Sequence, residues 1–128
     1  MDTKLYLAVL AVLSVIYGIM FLVFPSEAMA FYGATEPNAA AAYNIQFFGS
    51  ALLALGVIVW SARSFRDWDA VRSVLIGALV GNIVGLLLAI WGIKQGLVNQ
   101  MGWSTVVVYV LLTAGALYCL RGRVTQAA

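Results

Sequence analysis

The chain has 128 residues, of which 64% are hydrophobic and only 9% charged, with seven basic and five acidic side chains for a net charge of +2. Soluble domains carry about 25% charged residues, so no water-facing surface can be built from this composition, and lipid is the expected solvent for most of the exterior. The absence of histidine excludes histidine-held metals, histidine-ligated haem and a Ser-His-Asp triad, and a single cysteine excludes an internal disulfide. The few basic residues, spread along the chain, read as topology signals and not as a nucleic-acid surface.

Four apolar runs follow in chain order, at about Leu5–Phe24, Ala39–Ala62, Val71–Ile93 and Trp103–Leu120. A bilayer core of about 30 Å needs about 20 helical residues, and no run has a charge at its middle. The predicted fold is all-α: one transmembrane domain over 1–128, an antiparallel four-helix bundle with a short interfacial helix in its first outer loop. Lys4 and the small-x-small sequence Ala28-Met29-Ala30 resemble a signal peptide. The first apolar run exceeds the about 7–15 residues of such a segment, so a retained helix is expected.

Between the first two runs, Pro25 or Ser26 can start a short helix with Glu27 at its positive end. Met29, Phe31 and Tyr32 give this helix an apolar, aromatic side, and Gly33 can close it in a left-handed turn. Pro37-Asn38 then restarts the chain. The middle loop, Ser64–Asp69, alternates charge and aromatics and reads as a solvated loop with snorkelling arginines and Trp68 as an interfacial anchor. Trp60, Trp91 and Trp103 fall near span ends, as an interfacial belt requires.

Lys4, Arg63, Arg66, Arg72, Arg121 and Arg123 fall on one side of this topology, and Lys94 alone on the other. The positive-inside bias places both termini in the cytoplasm. The first outer loop, with Glu27 and Glu36 and no basic residue, agrees.

On the third span Ser73, Gly77, Gly81, Gly85 and Ala89 recur every four residues. Such a stripe, a glycine zipper, lets another backbone approach closely, within the chain or from another subunit. Ser14 and Gly18, Gly49, Ser50 and Gly56, and Ala114 and Gly115 offer weaker contact points on the other spans.

Five polar side chains lie at membrane depth. Asn82 is at the centre of the third span, and Gln46 is roughly 7 Å from the midpoint of the second. Asn44 lies one level further out, and Tyr17 and Tyr109 sit a few ångströms outward of their midpoints. An unpartnered amide in hydrocarbon costs several kcal/mol, so all five are expected to face the bundle. They form either a network stapling the helices, the preferred reading, or an outward cavity for a neutral ligand such as a quinone or a lipid headgroup.

No span carries the ionisable group that a proton-driven transporter needs. Small multidrug exporters share the length and helix number, but they rely on a glutamate in the first helix, and none stands between Lys4 and Pro25. No CxxC, HExxH or phosphate-cradling glycine loop is present. Cys119 reads as an apolar surface residue. An enzyme is therefore not expected, and no cofactor is implied beyond a quinone or lipid.

Gly18 with Phe24-Pro25, the run Phe48-Gly49-Ser50-Ala51-Leu52-Leu53-Ala54-Leu55-Gly56, Gly81-Asn82 and Gly102-Trp103 resemble small bacterial four-helix membrane proteins, distantly the DoxX-like group. The resemblance covers most of the chain and implies a fold and an inner-membrane location, with no catalytic residue. The leading expectation is a non-enzymatic accessory or structural subunit that packs against a larger membrane complex or against copies of itself. The alternative is a protein that binds or carries a neutral ligand, lipid or quinone.

Overall fold

The structure, a computed structural model, describes residues 2–33 and 38–127, with side chains as far as residue 122. Glu36 and Pro37, read above as part of the first loop, lie outside the described residues, as does the side chain of Arg123. Five helices follow one another: α1 Thr3–Val23, α2 Pro25–Phe31, α3 Ala39–Ala62, α4 Trp68–Lys94 and α5 Gly102–Ala127. The four long ones are each long and apolar enough to cross a membrane. Their outward faces carry bare apolar side chains such as Leu5, Ile16, Val80, Leu87 and Leu111.

Local chemistry sets the boundaries. The Asp2 carboxylate accepts from Lys4 N at 3.3 Å and starts α1. Phe24 leaves the helix because Pro25 disfavours helical geometry in the residue before it, and Pro25 then opens α2 as its first residue. Asn38 and Asp67 cap α3 and α4, accepting from Ala40 N at 2.9 Å and Asp69 N at 3.2 Å. The capped α4 begins three residues before the apolar run, and α5 runs past Leu120. Gly96, with φ +69°, ends α4 while Leu97 N reaches back to Gly92 O at 2.9 Å.

The long helices associate as two pairs, α1 with α3 and α4 with α5, with much less contact across the pairs. In the first pair the backbones touch. A Cβ on Gly18 would stand 2.9 Å from Gly49 O, and one on Gly56 would stand 3.2 Å from Ala11 O. In the second pair the Tyr109 ring lies on Gly85, 2.5 Å from where a Cβ would be.

The pairs meet at the end where α1 and α4 start and α3 and α5 finish, here called the basic end. Tyr6, Leu10, Val59, Leu75, Leu112 and Ala116 are among the residues of the buried cluster there. The Tyr6 ring covers Gly115, and its hydroxyl donates to Leu112 O at 2.7 Å, a buried bond between the pairs. Cys119, expected at the surface, is 4% exposed and a free thiol within this cluster. It shares a helix face with Leu112 and Ala116, at steps of three and four, and that face is the one turned inward.

Candidate functional site, a tyrosine-lined cavity

Away from the basic end the two pairs diverge and leave a cavity of about 410 Å³. Leu10, Ser14, Asn82 and Leu112 line it, residues at or next to the packed cluster, and so do Phe48, Leu52 and Leu55 from α3 and Val98, Gly102 and Thr105 from the other pair. None of the described residues lining it is charged.

Of the five polar residues singled out in the sequence, Tyr17, Asn82 and Tyr109 line this cavity, and Asn44 and Gln46 do not. The Gln46 amide donates to Leu22 O on α1 at 3.1 Å. It thereby serves one of the last carbonyls of α1, which lack partners within their own helix. Asn44 is exposed and does not turn inward as expected. Two residues span about 200° of helix, so with Gln46 facing α1, Asn44 must face away.

Asn82 is 6% exposed, and its Nδ2 is buried without a hydrogen-bond partner. The neighbouring Tyr6 hydroxyl donates to Leu112 O and keeps its acceptor lone pairs, but no hydrogen bond joins it to Asn82 Nδ2. Asn82 and Gln46 thus serve different contacts. The destabilisations of Asn82→Leu and Gln46→Leu, read from melting curves in detergent, are expected to add within about 0.5 kcal/mol. A clear departure from additivity would restore the direct staple.

The stripe on α4 is placed as follows. Gly77, Gly81 and Ala89 line the cavity, and a Cβ on Gly77 or Gly81 would meet no atom within 4 Å. Gly85 lies beneath Tyr109, while Ser73 is exposed with its hydroxyl donated to Asp69 O of its own helix. Within this chain the close backbone contacts are made instead by Gly18, Gly49 and Gly56.

The far end of the cavity is bounded by Tyr32, just after α2. The α4–α5 connection holds this residue in place. Asn99 N donates to Tyr32 O at 3.0 Å, Asn99 Nδ2 donates to Phe31 O at 3.2 Å, and Asn99 Oδ1 accepts from Met101 N at 2.9 Å. Gly33 is required here twice over: its φ is +91°, and a Cβ would stand 3.0 Å from Asn99 Cβ. The Thr105 hydroxyl donates to Tyr32 Oη at 3.0 Å. Tyr17 and Tyr109 line the same cavity as Tyr32, so three phenols border it together with the Asn82 amide.

Sequence reasoning missed Ser14, Tyr32, Thr105 and Asn99 as members of the site. Thr105 stands four residues before Tyr109 and so shares its helix face, a signal that could have found it. Asn99 sits in a connection with no periodicity to read.

Residues 2–120 match the model of a family described as a domain of unknown function, DUF8292. No curated protein and no solved structure matches the chain.

Proposed function

We propose, for a chain that belongs to the DUF8292 family, that it binds a neutral, mainly apolar small molecule bearing a hydrogen-bond acceptor, a quinone or a lipid, between two helix pairs within a membrane. The observation that carries this reading is the uncharged 410 Å³ cavity on which three tyrosines, Thr105 and Asn82 converge. Its volume falls in the range of about 300–1,000 Å³ typical of ligand sites, and apolar walls with a few placed polar groups are their usual lining. Among the described lining residues an anion or cation would find no counter-charge, whereas a carbonyl would find phenol donors.

The contacts of Gly18 with Gly49 and of Gly56 with Ala11 run in opposite order along α1 and α3, which supports an antiparallel bundle. With the basic residues inside, the termini are cytoplasmic and the cavity lies in the outer half. The inner-membrane location implied by the DoxX-like resemblance belongs to the same proposal.

One observation favours a second reading, an accessory subunit seated on a membrane partner or on a second copy. A Cβ on Gly77 or Gly81 would meet no described atom within 4 Å, and both glycines are exposed at the edge of the cavity, which leaves room for a partner helix to approach. Melting curves of the full chain in detergent, with and without a ubiquinone or a native lipid extract, separate the two readings. Binding at a hundredfold excess over Kd stabilises by about 2.7 kcal/mol, a shift expected for wild type and lost in Asn82→Leu. No shift with any additive, together with a stoichiometric protein partner in gentle purification, would overturn the ligand reading in favour of the subunit.

A further inference from the structure

A second hollow, of about 420 Å³, opens at the basic end between the beginnings of α1 and α4 and the ends of α3 and α5. Its character is the reverse of the first. Lys4, Arg63 and Arg66 line it against one carboxylate, Asp2, and that carboxylate already caps α1 by accepting from Lys4 N.

Arg63 is the informative residue. Its guanidinium lies over the Trp60 ring, 4.1 Å from the centroid, in a cation–π contact. Its Nε is buried and has no hydrogen-bond partner among the described residues. The buried Nε shows that the arm is partly withdrawn from water, where a charge is costly, and an anionic oxygen on the terminal guanidinium N–H groups offsets that cost best. Arg66 and Lys4 are exposed at the rim, where they add charge. Trp68 and Tyr118 supply apolar and aromatic surface to the same hollow.

We propose that this hollow binds the phosphate of an anionic phospholipid, with Arg63 as the principal contact and Arg66 and Lys4 as supporting charges. A planar guanidinium matches phosphate geometry. The depth selects the lipid over free phosphate, because the hollow sits where four helices long enough to cross a membrane end together. Basic pockets between such helices are where anionic headgroups bind. This inference does not depend on what fills the larger cavity.

The test uses the full chain in a neutral detergent, titrated with short-chain phosphatidylglycerol, with phosphatidylcholine of the same chain length, or with inorganic phosphate. Melting temperature and native mass spectrometry are the readouts. Phosphatidylglycerol is expected to raise the melting temperature and to be retained, and phosphatidylcholine is not. Arg63→Gln with Arg66→Gln should weaken binding about 30-fold, and Arg66→Gln alone about fivefold. The single variant changes only an exposed side chain, so its fold is not at risk. Lys94→Gln, at the opposite end of α4 and exposed, should change nothing. Equal effects of the two lipids, equal protection by inorganic phosphate at the same concentration, or equal behaviour of Arg66→Gln and Lys94→Gln would each overturn the proposal.

Discussion

Gly49→Leu is expected to destabilise the protein by roughly 3 kcal/mol or more, at or above the top of the usual overpacking range. A Cβ at this position would stand 2.8 Å from Gly18 O and 2.9 Å from Leu22 N. Both obstacles are backbone atoms, so no rotamer change clears the space. The only relief is to move α1 away from α3, which also breaks the Gln46 bond to Leu22 O. The measurement is a melting curve in detergent beside Leu87→Ala, which trims a side chain that is 63% exposed and should change stability by less than about 1 kcal/mol. Similar melting temperatures for the two variants would mean that the α1–α3 contact is looser than described.

The same substitution one helix over is expected to do the opposite. In Gly81→Leu the new Cβ meets nothing within 4 Å, and the side chain grows from a residue lining the cavity. Replacing a helix-interior glycine is favourable by up to about 1 kcal/mol in aqueous helices. The empty protein should therefore melt at the same temperature or higher than wild type. Added ubiquinone or lipid extract should lose at least about tenfold in apparent affinity, since each 1.4 kcal/mol of lost contact is a factor of ten. If Gly81→Leu leaves the response to additives intact but abolishes a dimer or releases a co-purifying protein, the accessory-subunit reading prevails. If it simply unfolds the chain, the space beside Gly81 is not open.

The contrast between Gly49 and Gly81 shows how far the sequence carries. The four long helices, the short helix opened by Pro25 and the left-handed Gly33 were legible, because apolar length, proline and glycine act through local chemistry. The stripe from Ser73 to Ala89 has the stronger pattern, yet within the chain the backbone contacts belong to Gly18, Gly49 and Gly56. Periodicity tells which residues share a face and not whether that face meets a backbone or a void. The helices are apolar nearly all round, so rotation about their axes leaves little trace in composition. That is why Asn44 and Gln46 were assigned to one face although they stand two residues apart. Tyr32 with Thr105, and Phe31 with Asn99, join across 73 and 68 residues of chain, where no local rule reaches.

The order in which the helices pair bears on assembly. Each close pairing is between long helices that follow one another in the chain, α1 with α3 and α4 with α5. During synthesis the first pair can close as soon as α3 has emerged, before α4 exists, and domains and subdomains made first tend to fold first. The second pair likewise needs nothing from the first to seat Tyr109 on Gly85. The space between them is thus the remainder left when two finished units dock at the basic end and are tied at the other through Tyr32, Asn99 and Thr105. Wall positions that make no contact within a pair, such as Gly81, can change without disturbing either unit, so the chamber can be refitted while the helix pairs stay the same.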